Sequence, residues 1–526
     1  MKSTIQLCMG ACLCMLLMSC SSTMTGFLKK PASIEQELES VQHSVLHEIV
    51  DVATVVDGSD EPLRLRLADA VIMAMENNPA FLVAKFAPAL QRTKEDVARA
   101  AFDPVLTGDL SHEETRADLT TEGQAKETTD ASSNAARIAL QQTLPTGTTL
   151  ELGVDGAMSD ADGTGNDSDT DSVTYDITIS QSLLQGYGKD VNLVTLRQAQ
   201  LDTRISQYEL QAVSESLVSQ VEIAYWEFIL AKQSIDIYDR SLVIAEQQAK
   251  EIEVRIQLGA VADTELAAAK AETAVRRESL INAQSDLDKA RLQLLRLLSP
   301  GGTASWTRDI EPIEDPTVTV IPMEEVAAHV IAGFKQRPEI KQAMLEVEKG
   351  ELEVIRTRNG LLPKLDLFVR LGNSSYANSF SSEADEDGDQ VTWTVGVQLE
   401  YALGRRAEKA GHRYAQLSVI QTRQALENMR QLAQQDVRTA YVEVKRTSEQ
   451  INASAATRQL REEVLRTEEE KFRVGTSTAL LVSQVRRDLV TSQIAEVEAV
   501  IAYRKALLAL YRAEGTLLDR RGIAVQ

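Results

Sequence analysis

The chain contains the same unit twice. LADAVIMAMENNP, running into FDPVL, returns as AAHVIAGFKQRP running into LLPKL. Pro79 therefore pairs with Pro338 and Pro104 with Pro363 at one offset of 259 residues, and Val71 and Ile72 match Val330 and Ile331. VTYDITI from Val173 matches VTWTVGV from Val391 at an offset of 218, as Gly186 matches Gly404, and Gly259 matches Gly475 at 216. Landmarks kept in the same order mark a duplicated unit of about two hundred residues. The drop in offset from 259 to 218 places an insertion of roughly forty residues in the first copy. Whatever the first copy builds, the second should build again.

Composition narrows what that unit is. With 526 residues, 43% of them hydrophobic, 4% aromatic and only 12 prolines, the chain suits one elongated, helix-rich repeat structure. A net charge of -23 argues against nucleic acid as a partner, because phosphate contacts need clustered Lys and Arg. An enzyme reading lacks material: the five histidines never fall in HExxH spacing, no GxxxxGK[ST] loop occurs, and no cysteine is present beyond residue 20. No cofactor is expected.

Residues 1–19 read as a lipoprotein signal peptide. Lys2 supplies a positive start, residues 5–18 are mostly apolar, and Leu17-Met18-Ser19-Cys20 has the form of a lipobox cut before the cysteine. All four cysteines, Cys8, Cys12, Cys14 and Cys20, lie here, so the processed chain keeps only an acylated Cys20 and forms no internal disulfide. Two or more acyl chains anchor stably to a membrane, and Ser21 is compatible with sorting to the outer membrane. Residues 20–62 then form a lipidated tether. No later run of eighteen apolar residues would make a transmembrane helix.

The spacing predicts long helices. Between Val191 and Leu258 there is neither Gly nor Pro, and Leu210, Val213, Leu217, Val221, Ala224 and Phe228 recur every three or four residues as one buried stripe. Its counterpart runs from about Arg405 to Val474, interrupted at Gly411. Each is followed by a Gly turn and a returning helix, roughly 264–298 and 477–514, giving antiparallel hairpins. A further helix from Pro79 to Phe102, with proline in its first turn, stacks end to end with the returning helix to match the long one.

Other segments alternate with period two. Trp393, Val395, Val397, Leu399 and Tyr401 share one face opposite Thr394, Gly396, Gln398 and Glu400. In the first copy Tyr175, Ile177, Ile179 and Leu183 oppose Asp176, Thr178, Ser180 and Ser182. Such stretches, apolar on one face and polar on the other, suit strands of a lipid-embedded barrel. Every backbone group in lipid needs a partner, so a few strands per chain imply closure by an oligomer. Within the insertion, RIALQQTL and TTLELGV alternate around Pro145-Thr146-Gly147 and predict one more hairpin, four strands in the first copy against two in the second. That hairpin either widens the barrel or projects from it.

LADAVIMAMENNP, the strand ends SLLQGYG and YALG, and the paired turns RIQLGAVADTEL and KFRVGTSTALL resemble the TolC-type outer-membrane efflux proteins, lipoprotein branch, over residues 63–515. The resemblance implies an α+β, mostly α fold. Long antiparallel helical hairpins form a trimeric α-barrel tunnel joined to a shared transmembrane β-barrel, with internal duplication. The divisions are a first repeat at 63–299 with strands over about 105–184, a linker at 300–322, a second repeat at 323–515 with strands over about 364–403, and a tail at 516–526. The resemblance further implies a homotrimer in outer-membrane lipid, acting as passive exit duct of a tripartite efflux pump or type I secretion system. It would work with a periplasmic adaptor (membrane fusion) protein and an inner-membrane transporter of RND or ABC type. The tip turns, with Arg255, Leu258, Gly259, Ala260, Val474, Gly475 and Thr476, would meet the adaptor. Some members carry acids six and nine positions after the second tip glycine; here these are Leu481 and Gln484, which leaves Glu265 in the first copy, or apolar Leu480 or Leu481, as gate candidates. The acidic run at 159–171 follows a calcium loop with Asp160, Asp162, Thr164, Gly165 and Asp171, and a weaker acidic run lies at 383–389. The rival reading is a periplasmic helical-hairpin lipoprotein acting as an adaptor or envelope spacer.

Overall fold

A computed structural model describes residues 62–119, 127–162, 168–258, 263–299, 306, 308–314, 318–377 and 390–524. The signal peptide, Cys20 and the tether lie outside the described residues, as do Gly259, Ala260 and the acidic run 383–389.

The described residues divide into two compact units, one holding residues 62–65 with those described between 299 and 313, and one holding those described between 66 and 298 and between 314 and 524. In the first, β1 (Leu63–Leu65) lies parallel to β6 (Ile310–Pro312) in the register Leu63↔Ile310, with Leu65 and Ile310 buried. In the second, both copies fold together rather than as separate domains.

The larger unit opens with α1 (Leu67–Asn77) and α2 (Pro79–Lys85). Asn78 joins them: its Oδ1 accepts from the Ala80 and Phe81 amides at 3.1 and 3.2 Å, and its Nδ2 donates to the Leu297 carbonyl at 3.0 Å. The single helix expected from Pro79 to Phe102 breaks at Phe86, and α3 (Ala87–Arg99) ends in a 3-10 turn over Ala100–Phe102. Pro88 explains the break, since it lacks an amide hydrogen and its ring crowds the preceding turn. The second copy has no such proline. There α7 (Val326–Gln336) leads into α8 (Pro338–Asn359), unbroken for 22 residues.

The long helices form as the periodicity indicates, with two differences. A short α4 (Lys189–Asn192) ends at Leu193, and α5 (Val194–Gln257) runs 64 residues, on the order of 95 Å. Its counterpart α9 (Arg406–Arg473) passes through Gly411 without the expected interruption over 68 residues. One helical glycine costs only about 1 kcal/mol, too little to break a helix packed along its length. Of the expected stripe, Leu210, Leu217, Val221, Ala224 and Phe228 are buried, whereas Val213 is exposed.

The returning helices are α6 (Asp263–Leu298) and α10 (Ala479–Glu514). Helix α5 has its own copy's α3 and α6 against it, and also α8 and α10 of the second copy. Helix α9 packs on α8, α10 and α7. The last residues are more than a tail. In α11 (Leu517–Arg521), Leu517 and Leu518 are buried, and Arg521 grips the buried Glu222 carboxylate of α5 through two bonds of 2.6 Å.

The strands make one antiparallel six-stranded sheet in the order β2-β3-β4-β5-β7-β8. These are β2 (Val105–Leu119), β3 (Glu127–Thr143), β4 (Thr148–Asp162), β5 (Ser168–Ser182), β7 (Lys364–Ala377) and β8 (Gln390–Glu400). The four-plus-two division of strands holds, and the inserted hairpin β3–β4 is an internal part of the sheet. Strands β2 and β8 form its two edges.

Candidate functional site

Register turns the sheet into a wall with two unlike faces. Following the ladder, Ile138 lies opposite Val154, Val154 opposite Tyr175, Ile177 opposite Leu371, and Leu371 opposite Trp393. The same parity holds Leu106, Leu140, Leu152, Ile179, Val369 and Val395 on that face. These apolar side chains are largely bare: Trp393 is 74% exposed, Leu106 70% and Val397 60%. A face so apolar, continuous over six strands and uncovered by the chain, matches lipid rather than water.

The opposite face is polar and ionic. Arg137 on β3 donates to Glu151 at 2.8 Å and Asp155 at 3.0 Å on β4, and lies 3.9 Å from Asp176 on β5. Gly153 makes the room, because a Cβ there would collide with Asp176 and come within 3.3 Å of Arg137. An aromatic ring interrupts the polar pattern. The Phe368 ring lies over Gly396 on the neighbouring strand, where a Cβ would meet ring carbons at 2.5 and 2.8 Å. Neither feature was read from sequence; an Arg at an inward position of an alternating strand is the signal for the first.

The sheet joins the helices through side-chain amides. Gly186 and Gly188, with φ of 83° and 94°, turn the chain from β5 toward α4. Asn359 at the end of α8 accepts from the Gly186 amide at 2.8 Å, and Asn192 donates to the Gly186 carbonyl at 2.8 Å and to Pro145 at 3.1 Å. The first copy's strand ends are thereby tied to α4 and to the end of α8 in the second copy.

At the far end of α5 and α9 the two hairpin tips lie side by side. Arg255 pairs with Glu251 at 2.5 Å and its guanidinium stands 5.5 Å from the Phe472 ring centre on α9. Leu258 and Val474 are exposed, Gly475 has a φ of 80°, and Thr476 folds back onto the Lys471 carbonyl with its amide at 2.9 Å. Behind them a cavity of about 260 Å³ is lined by Ala245, Ile252 and Arg255 of α5, Ala268 and Glu272 of α6, Phe472 of α9, and Leu480 and Arg487 of α10. Glu272 spans it, bound to Arg276 at 2.7 Å and also to Arg487.

Of the gate candidates, Glu265 is half-buried in the first turn of α6, and Leu481 and Gln484 are exposed. Leu480, unlike Leu481 and Gln484, lines the cavity.

The calcium-loop reading of 159–171 rests in part on Thr164 and Gly165, which lie outside the described residues. Asp160 and Asp162 belong to β4 and Asp171 to β5, with Asp160 paired to Asp169 and Asp171 to Met158. Among the described residues no group of three or more His, Cys, Asp or Glu is placed to hold a metal, and no helix is long and apolar enough to cross a membrane.

Comparison with known proteins adds to this geometry. The sequence model of the family described as "Outer membrane efflux protein" matches residues 148–299 and 334–516, one stretch in each copy. The pyoverdine export outer membrane protein OpmQ of Pseudomonas aeruginosa is 23% identical over 387 residues, covering 70% of this chain and 76% of its own length. The fold is that of the outer-membrane channel OprN, with a TM-score of 0.64 at 17% identity over 86% of this chain and 90% of that one. The CmeC outer membrane channel of Campylobacter jejuni gives a TM-score of 0.62 at 15% identity over 86% of each chain.

Proposed function

The chain belongs to the outer membrane efflux protein family, and from that premise we propose that three copies form a passive exit duct through the outer membrane of a Gram-negative cell. The observation that carries this reading is the six-stranded wall, apolar on one face and ionic on the other, growing out of paired long hairpins. Lipid meets the apolar face. Solute passes along the polar one, and the polar surfaces of α5, α6, α9 and α10 continue the path into the periplasm.

Apolar residues left open at the lateral helices support the oligomer. On α9, Tyr414, Leu417, Val442 and Leu460 are exposed on a helix that packs on α8, α10 and α7, and on the other side Leu90 and Val97 of α3 and Ile281 of α6 are exposed too. A neighbouring copy would cover both sets.

Energy comes from outside the chain, through an inner-membrane transporter of RND or ABC type serving efflux or type I secretion. The adaptor would bind the tips at Arg255, Leu258, Gly259 and Ala260 and at Val474, Gly475 and Thr476, where Leu258 and Val474 offer apolar surface. Acylation at Cys20 anchors the first residues to the membrane.

Planar-bilayer conductance of the detergent-extracted protein, with its mass measured alongside, tests the reading. Discrete steps from a trimeric species are expected, and in a closed trimer they should appear once Arg487→Ala loosens the Glu272 bridge. A monomer without conductance would leave the envelope spacer instead.

A further inference from the structure

We propose that the inserted hairpin is barrel wall, so that each copy supplies six strands and the closed barrel holds eighteen, its seams formed by β8 of one copy against β2 of the next. The inference rests on the trimeric duct proposed above and adds the wall's strand number and seam.

The inserted strands are built as wall on both faces. On the apolar side, Leu140, Ile138, Leu152 and Val154 continue without a gap into Ile177 and Ile179 of β5. A hairpin projecting into water would have no use for that surface. On the polar side, the Arg137 cluster ties β3 to β4 and reaches Asp176 of β5, so the insertion is riveted to a strand that the duplication shares. Its backbone is fully laddered as well, with β3–β4 paired from Asp130↔Asp162 to Thr143↔Thr149.

The edges are made for each other. Strand β2 leaves the helices and β8 returns to them, so side by side they run antiparallel as every other pair in the sheet does. Each presents the same alternation, Leu106 and Leu110 on β2 and Val395 and Val397 on β8 to one face, Thr107, Asp109 and Ser111 and Thr394 and Gln398 to the other. Edge amides and carbonyls in lipid have no other partner, and a second copy supplies them in kind. Strand counts of membrane barrels are even and extend past eighteen.

With strands about 4.8 Å apart and tilted by about 40°, eighteen make a backbone ring about 36 Å across, against about 24 Å for twelve. The sheet would then be wide enough that the helices, and not the barrel, set the largest solute that passes.

Two measurements decide it. End-on imaging of the intact protein in lipid bilayers should show a ring of about 36 Å. Paired cysteines introduced on the polar face, at Thr107, Asp109 or Ser111 of β2 and at Thr392, Thr394 or Gln398 of β8, should give disulfide-linked trimers in one register. A trimeric ring of about 24 Å overturns the eighteen-stranded wall and leaves the duct standing. Monomers without a ring overturn both.

Discussion

Glu215 stands on α5 only 4% exposed, with Gln211 as its hydrogen-bond donor at 3.4 Å. Burial pushes its carboxyl up to about 7; the bond from Gln211 works the other way, as do Arg512 and Arg337, while Glu339 adds to the rise. A carboxyl whose folded value lies above its unfolded 4.5 binds more protons in the native state between the two values. Stability therefore falls as pH rises from about 4.5 through about 7 and carries no penalty below that window. Glu215→Gln should raise the thermal unfolding midpoint at pH 8 by the equivalent of about 3 kcal/mol and leave it unchanged at pH 4. An equal gain at both pH values would show that desolvation of the charge is not the cause. Glu222 and Glu514 are buried at 1% yet held by partners, Arg521 for the first and His329, Thr516 and Arg520 for the second. Nothing in the local sequence separates these three glutamates. Arg521 comes 299 residues after Glu222, and only the packing of α11 onto α5 brings them together.

Period decided most of the elements: spacings of three and four gave α5, α6, α9 and α10, and strict alternation gave the faces of β5 and β8. Boundaries were legible where a residue type forces them, as at Pro79, Pro338 and Gly475. They were missed where two local preferences compete, as at Pro88, which splits α2 from α3, and at Gly411, which α9 absorbs. These two glycines give opposite expectations. Gly475 has a φ of 80° and open space around it, so Gly475→Ala meets backbone strain alone and should cost about 1–2 kcal/mol. Gly411 lies within a regular helix with nothing near its missing Cβ, so Gly411→Ala should stabilise by about 0.5–1 kcal/mol. Denaturant midpoints of the two variants check the pair, and equal signs would mean the tip turn is not held as described. Which helix each apolar stripe meets was not legible, because a stripe does not name its partner: α8 of the second copy lies against α5 of the first as well as against α9. The tip residues were legible as turns, but the cavity behind them, lined by four helices and bridged by Glu272 from α6 to α10, was not.

For the molecule as a whole, the sharpest expectation concerns the two faces of β8. Val397→Arg would put a cation in lipid, at a cost of about 2–4 kcal/mol per chain near the bilayer centre. Gln398→Arg, one residue on, would place it opposite Asp366 on β7 and should be tolerated. The yield of detergent-resistant trimer in outer-membrane fractions compares them, and equal losses would argue against a lipid-facing wall. The sheet's two open edges also govern how such a protein comes into being. A single chain holds an arc and not a circle, so it has no resting place in a bilayer by itself: its rim would be stranded in oil. Insertion and association must then be one event, and the rate at which ducts appear should climb steeply with the number of chains waiting. Supply of the precursor, more than the speed at which any one chain folds, would set how quickly a cell can raise its export capacity.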